Sequence, residues 1–103
     1  MPKGYWIARV DVHDMEAYKK YIAANAGPIS EFGGRFLVRG GPSEEKEGNH
    51  RQRVVVIEFD SFEKAKGCYD SAAYQDAIKL RAAVSDGDVV IIEGYDGPQP
   101  GDA

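Results

Sequence analysis

The chain has 103 residues, 43% of them hydrophobic, which allows one domain with one buried core and leaves no room for a separate ligand domain. Its formal charge of -4, without any cluster of Lys and Arg, excludes nucleic acid as a main partner, because neutralising phosphates takes a concentrated basic excess. No stretch approaches the roughly 20 apolar residues of a membrane-spanning helix, Met1 to Val12 holds no apolar run of signal-peptide length, and the lone Cys68 excludes an internal disulfide and a thiolate cluster. Together these features predict a cytoplasmic protein.

Tyr5 to Val12 alternates. Trp6, Ala8, Val10 and Val12 are apolar on one face, while Tyr5, Ile7, Arg9 and Asp11 share the other, as in a strand with one clean side. Asp14 can cap a helix whose apolar positions Met15, Tyr18, Ile22, Ile29 and Phe32 recur at helical spacing. Gly27-Pro28 interrupts that helix: Gly27 suits a left-handed cap and Pro28 the first position of a following helix, so a bend or break is predicted there. Gly33-Gly34 leads into a second strand, Arg35 to Arg39, which ends at Gly40-Gly41-Pro42. Ser43 to Gln52 reads as a polar, mobile loop before a third strand, Arg53 to Asp60. Ser61 caps a helical segment through Tyr69, and Ser71 starts another with Tyr74, Ala77, Ile78 and Arg81 on one side. Ser85 to Asp88 predicts a turn, Val89 to Tyr95 the last strand, and residues 96–103 a disordered tail. Residues 1–95 thus predict a single α+β domain in the order β-α-β-β-α-β. This is the ferredoxin-like sandwich, an antiparallel four-stranded sheet with its helices on one face.

If the clean faces pack on the helices, Phe36, Val38, Val55, Ile57, Phe59, Val90 and Ile92 join the clean side of the first strand. The opposite, open face then holds Ile7, Leu37, Val54, Val56 and Ile91. With the usual strand order of this fold, its central charges run Glu93, Arg9, Glu58, Arg39, alternating in sign so that neighbours pair. Such a sheet covers on the order of 400 Å², near the upper end of the apolar patches monomers tolerate. A second copy of the same face is the simplest cover, which predicts an isologous homodimer with a closed space between the sheets. A one-residue bulge would move a charge to the other face.

A family resemblance rests on Gly4-Tyr5-Trp6-Ile7-Ala8-Arg9-Val10, Gly33-Gly34-Arg35-Phe36-Leu37-Val38-Arg39-Gly40-Gly41, Val55-Val56-Ile57-Glu58-Phe59, Tyr69-Asp70-Ser71 with Tyr74, and Glu93-Gly94. Over nearly its whole length the chain resembles the domain-of-unknown-function family numbered 1330. That family belongs with the dimeric α/β barrels, which are similar in fold to cofactor-independent quinone-forming monooxygenases, muconolactone-type isomerases and haem-binding dismutases. The resemblance implies the fold and dimerisation far more than any chemistry, since one scaffold hosts unrelated functions. Where the family pattern favours a tryptophan before the tyrosine of the second helix and a proline in the turn after it, this chain has Cys68 and Ala72.

Arg39 and Arg81, with Arg9 on the open face, are candidate holders of a substrate carboxylate, because a guanidinium fork matches two carboxylate oxygens. The alternative is that Arg39 pairs with Glu58, and Arg81 with Asp76 or Glu93. Glu58 and Glu93 are candidate general bases if burial between two sheets raises their pKa, and His13, two residues beyond Asp11, is a third candidate for proton transfer. Tyr18, Tyr21, Tyr69 and Tyr74 offer contacts for an aromatic ligand, or simply core packing. Phosphate-loop, dinucleotide and nucleophile-elbow motifs are missing, and His13 and His50 lack ligand-spaced partners, so neither a cofactor nor a metal is expected. Two function classes remain. One is a cofactor-independent isomerase or monooxygenase acting on a small organic acid; the other is a non-catalytic dimeric binding or interaction protein.

Overall fold

The computed structural model describes residues 2–102. Strand β1 (Gly4–Val12) runs through the middle of the sheet, flanked by β3 (Arg53–Phe59) and β4 (Ser85–Glu93), with β2 (Arg35–Arg39) at the outer edge of β3. The order is β2-β3-β1-β4 and every pairing is antiparallel. Helices α1 (Met15–Glu31), α2 (Phe62–Asp70) and α3 (Ala72–Ala82) cover one face, completing the split βαβ arrangement. None of the helices is long and apolar enough to cross a membrane.

Alternation in β1 sets what the helices bury. Trp6 and Val10 point to the helices, and Trp6 is the hub: its ring centroid lies 5.3 Å from Phe59, 5.7 Å from Tyr69 and 4.7 Å from Tyr74. Its indole N–H donates to the Ala65 carbonyl at 2.7 Å, so the polar tip of a buried ring is satisfied. Close approach of strand and helix is possible because position 4 is glycine; a Cβ there would lie 2.6 Å from Phe62 Cα. Cys68, on the inner side of α2, is fully buried, and burial pushes its thiol up to about 12, leaving it a small apolar filler.

The caps form as predicted: Asp14 accepts from the Ala17 N–H, Ser61 from the Lys64 N–H, and Ser71 from the Tyr74 N–H. The predicted break at Gly27-Pro28 does not occur. Helix α1 runs unbroken to Glu31 and ends at Gly33, whose φ of +75° is the left-handed stop expected two residues past a helix. An interior proline removes one backbone hydrogen bond. Here the orphaned carbonyl belongs to the exposed Ala24, while Pro28 itself is buried and its carbonyl accepts from Phe32 N–H and Cys68 Sγ. Tertiary packing therefore holds the helix through a position where local preference alone would end it.

Two strands differ from the expected phase. Ser85 to Asp88 is not a turn but the first half of β4, paired with Arg9 to Val12. The register sets Ile91 opposite Trp6 and Val89 opposite Ala8, so these two face the helices, and Val90 and Ile92 lie on the open face. In β2 the pairing slips between Phe36 and Val38, so Leu37 is the extra residue of a bulge. Phe36 still faces the helices, but Val38 moves to the open face and Arg39 to the helix side, opposite Val55. Beyond β4, Gly94 N–H donates to the Lys3 carbonyl, and Tyr95 leaves the sheet to donate to the Pro98 carbonyl at 2.7 Å. Ala103, the end of the predicted tail, lies outside the described residues.

Candidate functional site

The pocket lies between the sheet and the helices, not on the open face. Helical spacing on α1 lines up Tyr18, Tyr21, Ile22 and Asn25 along one wall. Tyr74 and Arg81, seven positions apart on α3, project from the other. The floor is the helix side of the sheet, with Arg53 from β3 in line with Val55 and Ile57, and Arg39 brought round by the bulge.

Arginine is sorted by face. Among the described residues Arg9 pairs with Asp88 at 3.3 Å, Arg35 with Glu58, and Arg51 with Asp11 at 3.0 Å and Asp88 at 3.1 Å. The other three of the chain's six arginines, Arg39, Arg53 and Arg81, have no carboxylate partner among those residues, and all three line the pocket. Aromatic faces hold them: Arg39 lies 4.0 Å from the Phe36 ring centroid, Arg81 5.4 Å from Tyr21 and Arg53 6.0 Å from Tyr18. Among the described residues no Asp, Glu or His lines the cavity. Two buried polar atoms here, Arg53 Nε and Asn25 Oδ1, find no partner among the described residues. Concentrated positive charge beside unmatched buried polar atoms is the electrostatic complement of a small anion.

The hydroxyls of Tyr21 and Tyr74 are hydrogen-bonded at 2.6 Å, buried between α1 and α3. Burial, and then Tyr21 beside it, pushes the Tyr74 phenol up, so it stays protonated through the neutral range. Burial also pushes Tyr18 up. The pocket thus offers guanidinium and phenol donors and no carboxylate or imidazole base.

Of the residues singled out in the sequence, Tyr18, Tyr21, Arg39, Tyr74 and Arg81 meet in this pocket, Arg39 on the face opposite to the one expected. Tyr69 packs edge-on against Trp6 without lining the cavity. Arg9 stays on the open face with Asp88. Glu58 is also on the open face, bound by Arg35 and by the Tyr5 hydroxyl at 3.0 Å. Glu93 was expected beside Arg9 on that face; it lies opposite Gly4 at the exposed end of β4, on the helix side. His13 is exposed at the β1–α1 junction, its Nε2 2.8 Å from Asp86. Among the described residues the predicted pairs of Arg39 with Glu58 and of Arg81 with Asp76 or Glu93 do not form, Asp76 instead facing Lys79 at 3.5 Å. Arg53 and Asn25 were missed. Alternation through Arg53, Val55, Ile57 and Phe59 points to the first, and a polar residue in the Tyr18, Ile22, Ile29 stripe to the second.

Arg35, followed by the Tyr5 hydroxyl, holds the Glu58 carboxyl below its ordinary 4.5, the opposite of what a general base at neutral pH needs. A folded-state value below the unfolded one gives stability that is full above pH 4.5 and lost as pH falls through the folded value. The expected result for Glu58→Gln is a shallower loss of Tm between neutral and acidic pH than in the unsubstituted protein, followed by circular dichroism. An equally steep loss would place the acid sensitivity elsewhere.

On the open face the registers set Val38, Val56, Ile7 and Val90 in one continuous row across all four strands. Arg35 and Glu58 stand at one end of this band, and Arg9, Arg51, Asp11 and Asp88 at the other. Among the described residues no group of three or more His, Cys, Asp or Glu side chains comes together to hold a metal ion.

Residues 3–95 match the family described as a domain of unknown function, DUF1330. The chain belongs to that family. Solved structures similar to this DUF1330 chain include a protein of unknown function from Rhodopseudomonas palustris, with TM-score 0.76 and 17% identity over 93% of this chain and 85% of that one. SnoaB, a cofactor-independent oxygenase from Streptomyces nogalater, aligns with TM-score 0.62 and 12% identity over 97% of both chains. A dimeric ferredoxin-like protein of unknown function from Thermobifida fusca aligns with TM-score 0.59 and 19% identity over 89% and 91%. These likenesses place the DUF1330 chain in the ferredoxin-like α+β class and carry the fold alone. No curated protein matches it.

Proposed function

We propose that this DUF1330 chain binds a small organic acid with an apolar or aromatic body in the helix–sheet pocket, and that it works as a homodimer closed through the open sheet face. The observation that carries the ligand reading is the partition of arginines: among the described residues every arginine outside the pocket has a carboxylate, and the three at the pocket do not. Leaving guanidinium groups without counter-charge in a half-buried cleft costs stability, a cost offset when a carboxylate enters. Trp6, Phe36 and the aliphatic floor supply the apolar contacts that fix the rest of the ligand.

An enzymatic role of the isomerase or monooxygenase type is favoured by one further feature. Tyr21 and Tyr74, in contact with Arg81, form a donor set suited to stabilising an enolate or other oxyanion on the bound acid. His13, Glu58 and Glu93 lie away from that set, so this reading assigns them no proton transfer in the pocket. A cytoplasmic location, expected from the single cysteine, belongs to the same proposal.

Benzoate, phenylpropanoate and hexanoate tested against their neutral amides by thermal shift check the ligand reading. At about 100-fold over Kd the linkage is about 2.7 kcal/mol, so a fitting acid raises Tm by about 10 °C or more. Its amide leaves Tm unchanged. Equal shifts from acid and amide would remove the arginines from recognition.

A further inference from the structure

Asn25 is buried to 6% exposure and lies at the pocket, and its Oδ1 finds no hydrogen-bond partner among the described residues. It sits one turn beyond Tyr21 and two beyond Tyr18, on the same stripe of α1. Elsewhere in that stripe the residue types are the ones a core selects, and Tyr21 finds a hydroxyl partner in Tyr74. A buried amide oxygen without a partner destabilises a fold relative to a leucine of similar size, because its desolvation is not compensated. Solubility cannot account for it at such a depth, and helix propensity does not favour it either.

We infer that Asn25 reads a hydroxyl group on the bound acid, which makes the ligand class hydroxy-substituted acids rather than acids in general. The inference rests on the anion reading of the pocket and adds a second anchor point to it. A hydroxyl both donates and accepts, so it satisfies the unpaired Oδ1 and bonds the amide nitrogen equally well if the side chain is turned over. Arg53 Nε, the other unpaired buried atom, is a donor only and suits the carboxylate end. The two atoms come from opposite walls, α1 and β3, so one molecule that meets both must carry its acid and its hydroxyl at separate positions. A site built around such a bond discriminates against the analogue lacking the hydroxyl, because the buried amide is then left unpaired.

The test measures, by isothermal titration calorimetry on the intact protein, benzoate against its three monohydroxy isomers and phenylpropanoate against its 2-hydroxy and 3-hydroxy derivatives. At least one hydroxy acid is expected to bind about tenfold more tightly than its parent. In Asn25→Leu that ratio is expected to fall to within about twofold, and the ligand-free variant to melt at a higher temperature than the unsubstituted protein. Asn25→Ala gives the same ratio should the leucine variant fold poorly. Parent and hydroxy acids binding equally in the unsubstituted protein would overturn the inference, as would a preference that survives both substitutions or a lower Tm for Asn25→Leu. In those cases carboxylate binding that is still lost on changing Arg53 leaves the anion reading standing. Failure of every acid to bind would remove both.

Discussion

Carboxylate binding is expected to fall by more than about 100-fold when Arg53 and Arg81 are both replaced by methionine, with no loss of fold. Each guanidinium hydrogen bond to a carboxylate contributes about 1.5–3 kcal/mol, and about 1.4 kcal/mol is tenfold in affinity, so two lost anchors reach that range even without full additivity. The fold should tolerate the change because neither arginine is paired with a carboxylate among the described residues. Methionine keeps most of the volume against Tyr18 and Tyr21, and removing like charges from one cleft relieves their repulsion. Calorimetry with the best acid from the thermal-shift panel, paired with a melt of the unliganded protein, checks both halves. Unchanged acid affinity would show that the arginines serve packing only. A large drop in Tm would show that Arg81 is needed by the Tyr21–Tyr74 pair as structure rather than held ready for a ligand. Arg39 should matter less, since it stands exposed at the rim and its charge is screened by solvent.

The fold was readable wherever one signal dominated. Clean alternation in β1, the charge of Glu58 that phases β3, and side-chain caps at Asp14, Ser61 and Ser71 point to the same elements the structure contains. The phase of β4 was not readable, for a physical reason: Val89, Val90, Ile91 and Ile92 are apolar at four successive positions, so a period of two has no sign in that run. Only pairing with β1 sets it, and with it the side on which Glu93 lies. The bulge at Leu37 is likewise invisible in Arg35-Phe36-Leu37-Val38-Arg39, which alternates equally well either way. These two slips are why Arg39 and Glu93 were placed on the open face and the site with them. Pro28 failed differently, because packing around Cys68 and Phe32 outweighed a correct local preference. Arg81 and Tyr74 survived since helical spacing fixes their side regardless of how the sheet is phased.

The interface prediction uses the other face and is independent of the pocket. Ile7 is central in the row Val38, Val56, Ile7, Val90, and it is 36% exposed in the single subunit, with Val38 at 42%, Val90 at 51% and Ile92 at 48%. A two-fold axis through the middle of this band would set Ile7 near its own copy, so one substitution counts twice. Ile7→Lys then places two like charges in a desolvated patch, each costing several kcal/mol to bury. The dimer dissociation constant is expected to rise by more than about 1,000-fold, with sedimentation at micromolar concentration showing monomer. Because residue 7 faces away from α1 and α3, the melt of the separated subunit should retain its cooperative transition. Paired charges at both ends of the band do not replace the apolar row, since exposed ion pairs contribute about 0–1 kcal/mol. They do set register: turning Glu58 to lysine opposite Arg35 should weaken association far less than the change at Ile7. If Ile7→Lys remained dimeric, the subunits would have to meet through the helices or the edge of β2. The apolar row would then be left without the cover its exposure calls for.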